Sequence, residues 1–272
     1  MVTRQDIIDG LLRLGLGPGS ILVVHSSLGS FGYVDGGAET VIAALEETVT
    51  RSGLVIMPTH SLCLKGRPDV GPFDPVTSEA YTGTIPNVFR RQGDVRRSLH
   101  PTHSDAAWGD RAEKLLADHE RRGPVGADSP LDRAARWGGQ VLFLGTGHGA
   151  NTTLHLAEVL ARVPYVTVPF RRAWGDARTG RADGGVDEVP MVNDERPGCS
   201  GGFVKIEPLL AERRLTRQTM IGRSRVRVTP ARPMIELAME MLGDDPAALL
   251  CDRMECEHCT AAREAIAATR RA

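Results

Sequence analysis

No apolar run in this sequence is long enough to cross a bilayer: the longest, at residues 21–24, 54–57 and 141–144, are strand-sized, whereas a membrane helix needs roughly 18 residues. Charge of one sign is missing too. The 33 Lys and Arg nearly balance the 34 Asp and Glu, for a net charge of −1, so no global field holds the chain on nucleic acid or an anionic membrane, and neither is expected as a partner. Cysteines are few, odd in number and scattered, at Cys63, Cys199, Cys251, Cys256 and Cys259, which fits reduced thiols rather than a planned disulfide framework. The opening MVTRQDIIDGLLRLGLGPGS lacks the unbroken apolar stretch of a secretory signal, and a cytoplasmic protein is expected. No period of 20 to 50 residues repeats itself.

What is present is average for a globular chain. With 41% hydrophobic and 25% charged residues, wholesale disorder, collagen and a disulfide scaffold are excluded. The 272 residues suffice for a real core, and without a convincing linker the expectation is one domain over 1–272, with 244–272 as a small C-terminal appendage. Short β-branched runs at 21–25, 54–57, 141–144, 165–168 and 226–228 predict strands. Helical patterns fall at 3–14 (N-cap Thr3), 39–51, 110–122, 129–137 (N-cap Ser129, then Pro130), 152–162, 203–214 and 234–242. Such alternation predicts an α/β fold. Two stretches, 60–84 and 171–202, show no sustained period and are expected to be functional loops leaving the carboxyl edge of the sheet.

Three segments carry candidate chemistry. In VLFLGTGHGANTTLHLAE (141–158), a strand and a glycine-rich turn lead into a helix. Gly145, Gly147 and Gly149 fit neither the dinucleotide pattern nor a P-loop. His155 and Glu158 are three apart on one helix face, and an imidazole beside a carboxylate is a general-base arrangement. The plainer reading is a merely paired helical histidine, and what counts against it is the position after a strand and turn. The segment at 90–109, RRQGDVRRSLHPTHSDAAWG, offers arginine forks suited to phosphate beside His100 and His103, or else a solvated basic loop. The third, VHSSLGSFGYVDGGAETV at 24–41, ends a strand in His25, Ser26 and Ser27 before a glycine-bearing turn whose amides suit an oxyanion or phosphate. No nucleophile elbow is present, so the serines read as hydrogen-bond donors. His25 is either a core residue or a second active-site imidazole.

Two further clusters are more ambiguous. Between 183 and 195 stand five acids, Asp183, Asp187, Glu188, Asp194 and Glu195, with no Lys or Arg, either a receptor for a cationic ligand or a solvated loop. Cys251, Cys256, His258 and Cys259 place three thiols and an imidazole within nine residues; zinc comes to mind, but the spacing is unusual for it.

Taken together, VHSSLGSFGYVDGGAETVI (24–42), RSLHPTHSDAAWG (97–109), SPLDRAA (129–135) and LGTGHGANTTLHLAE (144–158) resemble, in wording and order, the aminoglycoside 3-N-acetyltransferase family. These are antibiotic N-acetyltransferases that use acetyl-CoA and are unrelated in fold to the GNAT enzymes. The resemblance runs from about residue 3 to 242. It implies a mixed sheet flanked by helices in α/β/α layers, and transfer of an acetyl group to the 3-amino group of an aminoglycoside by direct attack. His155 matches the general base and Glu158 the carboxylate beside it, with His25 a further catalytic candidate. Ser26, Ser27, Leu28, Gly29, Ser30, Arg97, Ser98 and His100 would line the coenzyme, and Asp69, Asp74, Asp183, Asp187 and Glu188 would collect the acceptor. No metal is expected to be required. The alternatives are acetylation of a different amine, a metal-dependent hydrolase built on His25, His100, His103 or His155 with carboxylates, and a module that binds without chemistry.

Overall fold

The computed structural model describes residues 1–167, 176–189 and 198–271. In chain order these form α1 (Arg4–Arg13), β1 (Ile21–Ser26), α2 (Gly37–Val49), β2 (Leu54–Pro58), α3 (Thr84–Phe89), β3 (Arg96–Arg97), β4 (Asp105–Trp108), α4 (Ala112–Leu116) and α5 (Pro130–Arg136). There follow β5 (Gln140–Leu144), α6 (Leu154–Leu160), β6 (Ala177–Gly180), β7 (Val186–Val189), α7 (Glu207–Glu212), β8 (Arg217–Ile221), β9 (Ser224–Pro230), α8 (Ala231–Asp244) and α9 (Glu257–Thr269).

Seven strands make one sheet in the order β3-β4-β2-β1-β5-β9-β8. Its centre, β2-β1-β5, is parallel and both flanks are antiparallel. The sheet is therefore mixed, as the resemblance implies. Side chains alternate between its faces: Ile21, Val23, Leu54, Ile56, Val141 and Phe143 enter one core with residues of α4 to α9. Leu22, Val24, Val55, Met57, Leu142 and Leu144 enter the other with α1, α2 and α3. A one-residue slip of β1 would exchange one apolar set for the other, so its register rests on the close packing of these particular side chains rather than on an apolar–polar pattern. Cys256, Cys259, Ala262 and Ile266 belong to the first core cluster, which joins α9 to the body of the sheet. Among the described residues no helix is long and apolar enough to cross a membrane.

Both expected caps are present. Thr3 accepts from the amide of Asp6, whose carboxylate accepts from the Thr3 amide, a capping box; Ser129 accepts from the Asp132 amide, with Pro130 following. Other expectations change. Residues 164–167 form a 3-10 turn (Pro164–Thr167) rather than the start of a strand, because Tyr165 is drawn wholly into the core; residue 168 lies outside the described residues. The helix expected over 110–122 ends at Leu116, and Asp118, at φ 58°, turns the chain into a separate 3-10 turn at His119–Arg121 that buries His119. The one expected over 203–214 begins as a 3-10 turn, Ser200–Ile206, and becomes α-helical at Glu207, where Pro208 sits in the first turn and needs no amide partner. Five strands and two helices without expected counterparts also appear among the described residues: β3, β4, β8, the β6–β7 hairpin, α3 and α9.

The two irregular stretches meet. Arg178 donates its amide to the Cys63 carbonyl at 2.8 Å, Phe73 donates to Arg178 at 2.6 Å, and Gly180 donates back to Phe73 at 3.0 Å. The hairpin thereby completes the loop at 60–84.

Candidate functional site

Strand order brings the three motifs together. β1 and β5 are parallel neighbours, so the turn after β1 and the turn before α6 leave the same sheet edge. β2 runs parallel on the other side of β1, and β4 runs antiparallel beside β2. The chain leaving β2 and the chain entering β4, at residues 98–104, therefore arrive at that edge as well. The close approach is visible at Gly145 (φ +73°), where a Cβ would lie 1.8 Å from Ser30 Oγ.

A cavity of about 330 Å³ opens here. His155, Thr152, His60, His103, Tyr81 and Ser200 are among its walls. His155 sits in the first turn of α6, and its Nδ1 is 2.6 Å from Glu158 Oε2. The other carboxylate oxygen accepts the Tyr165 hydroxyl at 2.8 Å. Glu158 is 4% exposed and Tyr165 fully buried. Burial, together with the adjacent Glu158, pushes the Tyr165 phenol far up, which keeps it a donor. Phe203 packs against the imidazole with ring centroids 4.7 Å apart. With Nδ1 engaged by Glu158, the donating hydrogen belongs on Nδ1, and Nε2 is the basic nitrogen.

Of the other candidate residues, some sit at this edge and some turn inward. His25, one residue before the end of β1, is 7% exposed and stacked on Phe143, and lines no part of the His155 cavity. Burial, then neighbouring His148, lowers its pKa to about 4, so the ring is neutral. In the following turn Ser30 Oγ donates to the Ser27 carbonyl at 2.7 Å and meets Ser224 Oγ at 2.8 Å. Leu28 and Gly29 open the 3-10 turn Leu28–Phe31, and the buried Ser26 Oγ has no hydrogen-bond partner among the described residues.

Arg97, Ser98 and His100 point inward instead. The Arg97 guanidinium donates to Ser104 Oγ (3.0 Å) and to the carbonyls of Ser78 (2.6 Å), Thr59 (2.7 Å) and Pro75 (3.3 Å). It pins the loop at 60–84 to the sheet edge, and burial lowers its pKa to about 10. Ser98 Oγ lies 2.8 Å from His119 Nδ1 and accepts from the Asp105 amide. His100 Nδ1 accepts from the His103 amide at 3.1 Å. Burial and His103 push His60 well below the ordinary imidazole range.

The carboxylates the resemblance assigns to the acceptor, Asp69, Asp74, Asp183, Asp187 and Glu188, stand apart from the cavity, none of whose described walls is acidic. Asp69 and Asp74 line a separate groove with residues of the hairpin. Each of the five already has a partner: Asp69 holds Arg67, Asp74 accepts the Val76 and Thr77 amides, Asp183 and Asp187 hold Arg181, and Glu188 holds Lys65 at 2.9 Å. Asp194 and Glu195 lie outside the described residues. The donors of the hydrolase alternative are not gathered either; among the described residues the one group suited to a metal is Cys199, Cys251, Cys256 and Cys259.

With this edge assembled, the relatives are informative. A sequence profile of the aminoglycoside 3-N-acetyltransferase family matches residues 23–243. The chain belongs to that family. It is 35% identical over 249 residues to aminoglycoside N(3)-acetyltransferase IV of Salmonella sp, covering 91% of this chain and 90% of the relative. A mutant of aminoglycoside acetyltransferase AAC(3)-IVa, solved in complex with a gentamicin, superposes with a TM-score of 0.85 at 35% identity over 97% of this chain and 98% of that one. AAC-IIIb, solved as a binary complex with CoASH, superposes at 0.77 with 28% identity, covering 89% of this chain and 96% of that one. The α/β layers thus follow from the family as well as from the sheet, and the acyltransferase class follows from the family alone.

Within this family fold, sequence reasoning missed Tyr165, Phe203 and the wall formed by Gly198, Cys199 and Ser200. Tyr165 looked like strand, and nothing local links it to a carboxylate on α6. Gly198 had a faint signal as a glycine in an irregular stretch: its φ is +110°, a conformation that L side chains rarely adopt, while a Cβ there would meet Glu158 Oε1 and the Tyr165 ring only at ordinary contact distance.

Proposed function

We propose that this protein transfers an acetyl group from acetyl-CoA to the 3-amino group of an aminoglycoside, with His155 as general base in a direct transfer. The observation that carries the reading is the relay from His155 through Glu158 to Tyr165 at the cavity wall. An aminoglycoside amine arrives largely as ammonium and reacts only after losing its extra proton to solvent or base. As the nitrogen lone pair forms the C–N bond to the thioester carbonyl carbon, His155 Nε2 takes the proton that the nitrogen sheds. The tetrahedral intermediate collapses with cleavage of the C–S bond, and the imidazolium returns that proton to the departing thiolate. Glu158 orients the ring and stabilises its charged form. No acyl-serine is needed.

Residues 26–30 are the coenzyme-facing loop in this reading, supported by the buried Ser26 hydroxyl at the sheet edge, which has no partner among the described residues. His25, neutral and buried, holds the start of that loop: its carbonyl accepts Thr146 Oγ1 at 3.1 Å. Arg97, Ser98 and His100 shape the edge from behind. The five acids of the loop and hairpin set the field of the neighbouring groove rather than touching an amine at His155. Residues 1–272 act as one cytoplasmic domain, with 244–272 joined to it through the shared core.

The test is thiol release from acetyl-CoA across a panel of aminoglycosides that includes gentamicin and apramycin, with a chelator control and His155→Ala alongside. Release that requires both an amine and His155 is expected. Undiminished turnover by His155→Ala sinks the mechanism, and failure to bind the coenzyme sinks the reading.

A further inference from the structure

Four of the five cysteines converge on one point. Cys199 comes from the segment before the Ser200–Ile206 turn, Cys251 from the chain after α8, Cys256 from the N-cap of α9, and Cys259 from its first turn. Their sulfurs all lie within 4.8 Å of one another. Cys199 Sγ is 3.7 Å from Cys256 Sγ and 3.6 Å from Cys259 Sγ. A tetrahedral zinc with Zn–S bonds of roughly 2.3 Å separates its sulfurs by about 3.8 Å, whereas a disulfide needs roughly 2.05 Å. The observed spacing is that of a metal-sized gap ringed by thiols.

The surroundings suit a thiolate cluster. The Cys251 amide donates to Cys259 Sγ at 3.4 Å, and the Arg253 guanidinium reaches Cys199 Sγ at 3.9 Å, so an amide and a cation face sulfurs that would carry negative charge. Cys251, Cys256 and Cys259 are buried. His258, next to Cys259 in sequence, is outside the group and lines the His155 cavity instead.

We propose that Cys199, Cys251, Cys256 and Cys259 bind one structural zinc ion, which fastens the cavity wall at 198–200 to α9. The wall is already tied there by one hydrogen bond, from the Gly198 amide to the His258 carbonyl at 2.9 Å. Zinc binding displaces the thiol protons and forms four Zn–S bonds without redox change. The closed tetrathiolate set leaves no open position for a substrate, which makes the site structural rather than catalytic. It stands independently of the acetyl-transfer reading, since metal content is measured without turnover.

The experiment is metal analysis of the purified full chain under reducing conditions, followed by replacement with cobalt. About one zinc per chain is expected, and cobalt should give the visible bands of a tetrahedral site with thiolate charge-transfer absorption. Cys199→Ser and Cys256→Ser should each lower bound metal by roughly tenfold or more, while Cys63→Ser and His258→Ala retain it. Should the serine variants fail to fold, Cys256→His keeps a nitrogen donor and should hold cobalt with shifted bands. Metal-free protein with all four thiols alkylatable, disulfides among the four, or metal content indifferent to Cys199 and Cys256 each overturns the proposal.

Discussion

Tyr165 donates its hydroxyl to the Glu158 oxygen that His155 does not use, at 2.8 Å, so one buried carboxylate is held from two sides. A carboxylate fixed in this way cannot rotate off the imidazole without leaving a buried donor unpaired, a loss of about 1–3 kcal/mol. The pairing accounts for the orientation of His155 better than helix geometry alone, which only sets the two residues on one face.

Three substitutions along this chain should separate its parts. His155→Ala should lower kcat by about 10²–10⁴ with little change in Tm. Glu158→Gln should lower kcat by at least about tenfold, since a neutral amide stabilises the imidazolium poorly. Tyr165→Phe should cost about 1–3 kcal/mol of stability and reduce kcat less than Glu158→Gln. Steady-state kinetics beside thermal melts checks the order, and a Tyr165→Phe enzyme more impaired in kcat than Glu158→Gln contradicts it.

Arg97 is expected to be a brace rather than a coenzyme ligand. Arg97→Ala strips donors from the Thr59 and Ser78 carbonyls and should destabilise the fold by about 1–3 kcal/mol, with KM for acetyl-CoA unchanged. A selective rise in that KM at unaltered Tm would restore the arginine to the coenzyme site.

Stability should fall on mild acidification. His25 and His148 are both lowered to about 4, in each case first by burial. The unfolded chain protonates each near the ordinary value of about 6.5 while the folded chain does not. Their contribution is thus fully present above that pH and is lost as pH falls toward 4. In that window each histidine tilts stability by up to about 1.4 kcal/mol per pH unit. Chemical denaturation between pH 7 and 5 reads the slope, and His148→Gln should flatten it; an unchanged slope argues against a neutral, buried His148.

Gly198 should tolerate no side chain. Gly198→Ala puts an L side chain at φ +110°, a backbone conformation such residues rarely adopt, at a cost of about 1–3 kcal/mol. Melting temperature and kcat should fall together; a variant with wild-type values for both means that the wall yields freely.

The sequence by itself determined the alternation of strands and helices, because period and capping are local properties: Thr3 and Ser129 cap where expected, and β1, β2 and β5 follow their apolar runs. It also determined that His155 and Glu158 share one face, since residues three apart on a helix are neighbours there. Only the tertiary structure decided the rest. Tyr165 reaches Glu158 because a strand-like run is bent into a 3-10 turn by core burial. Arg97 looked ready for phosphate, yet three carbonyls between residues 59 and 78 and the nearby Ser104 hydroxyl engage its guanidinium first. Cys199 joins Cys256 from 57 residues away, and His258, so close in sequence, faces elsewhere. Local spacing can propose ligands, but contacts across the chain are set by how two cores close around one sheet.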